Sequence, residues 1–468
     1  MTLRPYQERD IERLRAAFGR RRAVLYQLPT GGGKTHVFVE VAERVASRGG
    51  RVLVLEHRAE LVAQAVGKLR AVGVAPGVVC ASYPDATFTG FESVIVASIQ
   101  TLSKRDLGSW SPTFIVADEA HLSVAASWRA AFARWPLAWR LGVTATPERL
   151  DGRGLGEVFG DLVAGPTIAE LTAAGHLVPA RVFAPPAPDF SKLPIRRGEF
   201  AALPDAIAHG PQLVGDVVQH YQRLGGGRSA IVFAASIEQA NRLGHAFDEA
   251  GLRAAVVTGK TTRDARSGAL DLLGAGRLDA VVNVGVLVEG FDCPPVSYIA
   301  LARPTASLTV FLQSIGRGLR PSPGKTDCIV ADHAGNAAER FGLPGQDRAW
   351  SLAGRGKRRR GVDPEAIAVA TCPRCLALYQ STPCPRCGHT PATTPRRLRQ
   401  VGGLLRELTA KELRAREVAI SQSMPERDAP SWAPPALWDR LEAKRRREGY
   451  QPGWTIGATR ARMGGWRR

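Results

Sequence analysis

The chain has 468 residues, 44% of them hydrophobic, with 63 Lys and Arg against 43 Asp and Glu for a formal net charge of +20. That length exceeds what one hydrophobic core organises and implies two to four domains. No apolar run is long enough to cross a bilayer, and the charged segment Met1–Asp10 lacks the apolar stretch of a secretory signal, so a helical membrane protein is excluded and a cytoplasmic chain without a membrane partner is expected.

Residues 1–165 alternate short apolar runs with helical spacing. Strands are predicted at Ala23–Tyr26, Arg51–Leu55, Ser93–Ala97, Phe114–Ala117 and Arg140–Thr144, with a helix over Val37–Ala46. This is the pattern of a parallel sheet wrapped by helices. Residues 166–213 lose the rhythm: Pro179, Pro185, Pro186, Pro188, Pro194 and Pro204 punctuate them, and they read as a connector. The rhythm returns over 214–345, with strands predicted at Ser229–Phe233, Arg253–Val257, Asp279–Asn283, Val296–Ala300 and Asp327–Ala331. Residues 346–400 form a basic linker and a cysteine cluster. Residues 401–468 form a basic tail with one predicted helix at Leu404–Ile420.

The excess of bases over acids favours a polyanionic partner, because each neutralised phosphate releases counterions. A GC-rich genome would explain Arg in place of Lys, but not that excess. Within the first block, Leu28-Pro-Thr30-Gly31-Gly32-Gly33-Lys34-Thr35 follows a predicted strand and opens a helix. Glycines let backbone N–H groups turn toward phosphate, Lys34 would reach the β- and γ-phosphates, and Thr35 would ligate magnesium. The common form of the motif has Gly where this chain has Leu28. Asp118-Glu119-Ala120-His121 ends another apolar run; Asp118 would hold magnesium and Glu119 would serve as general base toward water. A tight turn and a solvated acidic loop are the plain alternatives, and the joint occurrence of the two motifs argues against both.

Of seven cysteines, Cys80, Cys293 and Cys328 are scattered. Cys372-Pro-Arg-Cys375 and Cys384-Pro-Arg-Cys387 form two knuckles eight residues apart, a spacing that can converge on tetrahedral zinc with no open position. Lys444–Arg447 and the nearby Tyr450 and Trp454 read either as a surface that stacks on bases and holds phosphates or as a basic helix packed on the core.

Taken together, Gly33-Lys34-Thr35, Asp118-Glu119-Ala120-His121 and Thr144-Ala145-Thr146-Pro147 resemble the superfamily 2 DEAH-box helicases and translocases. The resemblance covers roughly residues 3–336 and implies two tandem RecA-like lobes with ATP and magnesium between them. By it, Gln7 in Leu3-Arg-Pro-Tyr-Gln7 reads the adenine edge, and His121, Thr144 and Thr146 couple hydrolysis to movement. His57, Arg58, Ser98 and Thr101 would touch the nucleic-acid backbone, although a surface cap or turn explains those four nearly as well. In the second lobe, Gln313-Ser-Ile-Gly-Arg317-Gly-Leu-Arg320 resembles the arginine-finger motif, with Gln313, Arg317 and Arg320 as its working residues. Asp292 would bind the nucleotide ribose or an arginine. Asp332-His333-Ala-Gly-Asn336 narrows the resemblance to the RadD-like bacterial and phage helicases, themselves related to XPB-type translocases, which also carry a four-cysteine zinc module.

The expectation is an α/β protein with two RecA-like parallel-sheet lobes, a zinc module and a basic tail. It would use ATP, magnesium and zinc, and move on nucleic acid: DNA by preference, in repair, recombination or phage replication, with RNA as an alternative track. A duplex translocase that does not separate strands, and a zinc-dependent nucleic-acid-binding scaffold with a vestigial ATP site, are the remaining alternatives.

Overall fold

A computed structural model describes residues 2–83, 88–184, 190, 193–196, 199–200, 215–288, 290–354, 367, 369–380, 382–390 and 434–448. The chain divides into two compact units, Met1–Ala392 and Thr393–Arg468.

The first unit holds two parallel sheets. In the first lobe the chain runs α1 (Pro5–Phe18), β1 (Ala23–Gln27), α2 (Lys34–Ala46), β2 (Val52–Glu56), α3 (Ala59–Ala71), β3 (Gly77–Val79), β4 (Val94–Ser98), α4 (Ile99–Leu102), β5 (Phe114–Asp118), α5 (Ala126–Arg134), β6 (Trp139–Thr144) and β7 (Asp161–Ala164). These seven strands pair in the order β3-β4-β2-β5-β6-β1-β7. Strands β2, β4 and β5 are buried along their whole length. That is why they read as unbroken apolar runs rather than alternating ones. The short edge strands β3 and β7 were not predicted, because three or four residues carry too little period.

The second lobe follows: α6 (Ile168–Ala173), β8 (Ala180–Phe183), β9 (Ile195–Arg196), β10 (Glu199–Phe200), α7 (Gly215–His220), β11 (Ala230–Phe233), α8 (Ile237–Glu249), β12 (Ala254–Val257), α9 (Arg263–Gly274), β13 (Ala280–Asn283), β14 (Tyr298–Leu301), α10 (Leu308–Gly316) and β15 (Cys328–Asp332). Its sheet order is β12-β13-β11-β14-β15-β8. Strand β8 lies inside the stretch expected to be a plain connector. It pairs in parallel with β15, Ala180 opposite Cys328, and adds an edge strand to the second sheet. Its four residues follow directly on Pro179, and the proline punctuation hid a strand whose pairing is entirely non-local.

Past β15 the chain returns to the first lobe, where Gly156 N–H donates to Leu352 O (3.0 Å) and Arg153 bridges to Gly354. The cysteine module, with β16 (Ala370–Thr371) and β17 (Leu378–Tyr379), then lies along the outer side of β8. Phe183 bridges to Ala377, Ala184 N–H donates to Leu376 O (3.1 Å), and the Arg386 guanidinium sits 4.5 Å from the Phe183 ring centroid. The module thus covers what would otherwise be an unpaired sheet edge.

In the second unit the described element is α11 (Pro435–Glu448), in which Arg445 pairs with Glu442 at 2.8 Å. The predicted helix Leu404–Ile420 lies outside the described residues, as do Tyr450 and Trp454. No described helix is long and apolar enough to cross a membrane.

Candidate active site

Parallel strands in register deliver their C-terminal ends to one edge of the first sheet. Gln27 pairs with Thr144, Glu56 with Ser98, and Asp118 with Val143. Each motif follows one of these ends.

After β1 the chain turns through Leu28–Gly33 into α2. Gly31 (φ 88°) and Gly33 (φ 87°) occupy the left-handed region, which glycine enters without steric cost. A Cβ on Gly33 would also lie 2.6 Å from Gln7 Nε2, and one on Gly32 would lie 2.8 Å from Leu28 Cγ. The departure at Leu28 thus has a local account. Its buried side chain fills the space under the turn, and its N–H donates to Thr144 O (3.0 Å). Gln7 is 3% exposed and spends both ends of its amide nearby. Nε2 donates to Gly32 O (3.3 Å) and Gly33 O (3.4 Å), and Oε1 accepts from Arg4 N–H (2.9 Å). It lies against the glycine turn, braced beside Tyr6, whose hydroxyl also donates to Gly32 O.

Lys34 and Thr35 begin α2 at the mouth of this turn. Burial pulls the Lys34 ammonium below its ordinary value, while the Glu119 and Asp118 charges oppose that and the Arg317 and Arg320 charges add to it. Residues from both sheets therefore converge electrostatically on this lysine.

Glu119 sits just past β5 with φ 48°, one of two described non-glycine residues at positive φ. Such a conformation costs on the order of 1 kcal/mol and persists where the surroundings impose it. Here they do. Glu119 N–H donates to Asp118 Oδ1 (2.9 Å), Glu119 Oε2 accepts from Gln313 Nε2 (3.0 Å), and the same oxygen lies 3.4 Å from His121 Nδ1. The two carboxylates are driven apart in acidity. Burial and the neighbouring Glu119 charge raise Asp118. Burial also works against ionised Glu119, but the His121 hydrogen bond and the Lys34 charge outweigh it and hold the group below the usual carboxylate range. Glu119 is thus the ionised acceptor, and Asp118 the carboxylate that gains most from a cation.

A third acid, Glu56, was missed by the sequence reading. It is 1% exposed at the end of β2, its Oε2 has no hydrogen-bond partner among the described residues, and burial together with Asp118 and Glu119 pushes its pKa well up. Its signal was an acid closing the otherwise apolar run Val52-Leu-Val-Leu-Glu56. Oxygen donors at Thr35 and Asp118, beside this concentration of carboxylates, suit a hard divalent cation such as magnesium.

From the second lobe, α10 lies directly over the glycine turn. A Cβ on Gly316 would fall 2.5 Å from Thr30 Cβ. Gln313 is 1% exposed and reaches Glu119 across the two lobes. Arg317 donates from Nη2 and Nε to Val288 O (2.7 and 2.9 Å) and from Nη1 to Phe291 O (3.0 Å). Arg320 Nη1 donates to Phe291 O (3.1 Å) and Asp292 Oδ1 (2.5 Å). Asp292 thus meets an arginine, one of the two partners expected for it. Glu289 lies outside the described residues.

Thr144 Oγ1 donates to Thr146 O (2.9 Å) and lies 3.4 Å from His121 Nδ1. Thr146 Oγ1 meets Thr309 Oγ1 at 2.7 Å, a second polar link to α10 that the sequence reading did not single out. His57, Arg58, Ser98 and Thr101 gather just past β2 and β4. Ser98 caps α4, accepting from Thr101 N–H (3.3 Å) and donating to Thr101 Oγ1 (2.8 Å), and Arg58 Nε donates to His57 Nε2 (3.2 Å). Near them the lobes touch again. Arg266 pairs with Glu60 (2.5 Å), Gln64 Nε2 donates to Gly290 O (2.9 Å), and the Arg263 guanidinium lies 4.7 Å from the Tyr83 ring centroid.

The Sγ atoms of Cys372, Cys375, Cys384 and Cys387 lie within 4.8 Å of one another, with Cys372–Cys387 at 3.6 Å and Cys375–Cys384 at 3.7 Å. Four thiolates at zinc-bond length occupy tetrahedron corners about 3.8 Å apart. The residues therefore fit a structural zinc.

Comparison with known proteins agrees with the two-lobed fold. The family model described as the type III restriction enzyme res subunit matches residues 1–149, and that for the helicase conserved C-terminal domain matches residues 213–322. A 51.5 kDa protein of a Lactococcus phage is 31% identical over 369 residues, covering 78% of this chain and 77% of that protein. The putative ATP-dependent helicase IRC3 of Saccharomyces cerevisiae is 28% identical over 334 residues, 66% of this chain and 48% of its own, so the chain spans about half of that relative. Among solved structures, the ATP-dependent Type ISP restriction-modification enzyme LlaBIII bound to DNA shares the fold with a TM-score of 0.55 at 17% identity, over 71% of this chain and 28% of that one.

Proposed function

The chain belongs to the superfamily 2 helicases, ATP-hydrolysing enzymes that act on nucleic acid, and from that premise we propose that it is a cytoplasmic DNA motor serving repair, recombination or phage replication. Lobe 1 spans residues 1–165, a connector 166–213 contributes β8 to lobe 2 at 214–345, and the zinc module (346–400) and basic tail (401–468) follow in sequence.

In this reading Gly31–Gly33, Lys34 and Thr35 hold the triphosphate, and Gln7 leaves the glycine turn to meet adenine. Magnesium, held by Thr35 and Asp118, would neutralise phosphate charge. Glu119 takes the proton of the attacking water and Gln313 orients that carboxylate. Arg317 and Arg320 exchange backbone carbonyls and Asp292 for γ-phosphate oxygens, where guanidinium forks stabilise the transition-state charge. His121, Thr144 and Thr146 pass the change to α10 through Thr309. His57, Arg58, Ser98 and Thr101 lie where a strand would cross lobe 1.

The observation that carries the reading is the 3.0 Å hydrogen bond from Gln313 to Glu119, which joins the proposed base of one lobe to the arginine helix of the other. The test is ATP turnover with no nucleic acid, single-stranded DNA, duplex, fork and RNA. DNA is expected to stimulate most, and turnover that no polymer accelerates sinks the proposal. A second reading, translocation on duplex without unwinding, uses the same ATP site. Triplex displacement without strand displacement would select it.

A further inference from the structure

Strand β15 runs into Asp332-His333-Ala-Gly-Asn336, whose polar side chains the chemistry above does not use. Asp332, His333 and Asn336 are each 1% exposed or less. Gly335, at φ 64°, reverses the chain so that Asn336 faces back across the end of the sheet. Its amide is fully engaged. Oδ1 accepts from Thr305 N–H (2.8 Å), and Nδ2 donates to Arg303 O (3.1 Å) and to Asp332 Oδ1 (3.1 Å). Asp332 Oδ2 in turn accepts from Ala337 N–H (2.6 Å). One side chain therefore grips both a donor and an acceptor of the loop that joins β14 to α10.

The grip continues into the helix. Thr305 Oγ1 accepts from Ser307 N–H (3.1 Å), and Ser307 Oγ caps α10 by accepting from Val310 N–H (3.4 Å). That helix is nine residues long. From it Thr309 meets Thr146 at 2.7 Å and Gln313 meets Glu119 at 3.0 Å. A rigid element this short transmits a displacement of its first turn to its last. Only an amide can accept an N–H while donating to a carbonyl and a carboxylate; a carboxylate at 336 would lose both donations and repel Asp332.

We propose that Asn336, braced by Asp332, is a positioning residue for ATP hydrolysis: it fixes the start of α10 so that Gln313 reaches Glu119 and the Arg317–Arg320 turn stays over the glycine loop. The inference rests on the role given to Glu119 and adds a residue that touches neither nucleotide nor nucleic acid.

The test compares Asn336→Ala, Asn336→Asp, Gln313→Ala, Asn336→Ala with Gln313→Ala, and the exchanged pair Asp332→Asn with Asn336→Asp. Each is assayed for kcat and KM for ATP, with and without DNA, alongside thermal melting. Asn336→Ala should lower kcat about ten-fold or more with KM within about two-fold, as expected for lost alignment rather than lost binding. Added to Gln313→Ala it should cost less than it costs alone, because part of its effect runs through the Gln313–Glu119 contact. The exchanged pair restores the amide-to-carboxylate bond in reversed direction but not the donation to Arg303 O, and should recover part of what Asn336→Asp loses. Where Asn336→Ala fails to fold, Asn336→Asp and its exchanged partner decide the matter. Independent multiplication of the two kcat losses, an unchanged kcat in Asn336→Ala, or an exchanged pair no faster than Asn336→Asp overturns the proposal. These ratios can be read on basal turnover, so a wild type that no polymer stimulates would count against the motor alone.

Discussion

Glu119 and His333 show how differently two buried titratable groups behave. Glu119 is held ionised by neighbours that outweigh its burial, so removing its charge should strike chemistry before binding. Glu119→Gln is expected to lower kcat about 10²–10⁴-fold, the usual worth of a placed general base, while ATP affinity by equilibrium titration stays near wild type. His333 has no such help. Neither ring nitrogen has a hydrogen-bond partner among the described residues, the His220 ring lies 5.2 Å away, and burial followed by the His220 charge lowers its pKa from 6.5 to about 3. At pH 7.5 the imidazole is largely uncharged both folded and unfolded. Below 6.5 the unfolded chain takes up a proton that the folded chain refuses, so stability present above that pH is lost as pH falls. Adjacent Asp332 works with the opposite sign. Burial raises its pKa from 3.8 to about 6, so between those values the folded form binds the extra proton and gains stability. The wild type is therefore muted in the acid range. Comparing pH 5 with pH 7.5, His333→Leu should gain about 2 kcal/mol relative to wild type, from 1.5 pH units at 1.36 kcal/mol each. Denaturant midpoints at the two pH values check this, and equal shifts at both would refute it.

Among elements, α10 and the cysteine module make the clearest claims. Gly316 passes so close to Thr30 that a methyl group has no room, so Gly316→Ala should prise α10 from the glycine turn. A fall in kcat of about 10²-fold is expected at saturating ATP, the scale of a misplacement near 1 Å; wild-type turnover would show that this approach is dispensable. The cysteine module folds over β8, and a structural zinc is commonly the folding energy of so small a module. Chelation, or Cys384→Ser, should increase deuterium exchange at Ala184, whose N–H is bonded to Leu376 O, before exchange rises in the fully internal β11. Elements such as β2, β4 and β5 were legible because they are buried on both faces and written as continuous apolar runs. Strand β8 was not, since nothing in Ala180–Phe183 announces a partner nearly 150 residues away. The site divides the same way. Glycines, Lys34, Asp118 and the four cysteines are readable from spacing alone. Glu56, Thr309 and the duties of Asn336 are set by register and by contacts between lobes, which no local pattern encodes.

At the scale of the molecule, a net charge of +20 should make nucleic-acid affinity fall steeply with salt. Replacing Arg58 with Ala should shallow the slope of log K against log salt by about one unit if that guanidinium neutralises a phosphate; an unchanged slope would show that Arg58 neutralises none. The return of the chain at Leu352–Gly354 has a mechanical corollary. Besides the side-chain contacts at the site, the backbone ties the lobes once where β7 leads toward β8 and again where Arg153 bridges to Gly354. A body pinned at one point can tumble and drift, whereas one pinned at two can only swing about the line between the pins. For the motor proposed above, the direction of each stroke would then be written into the connectivity of the backbone before any nucleotide arrives.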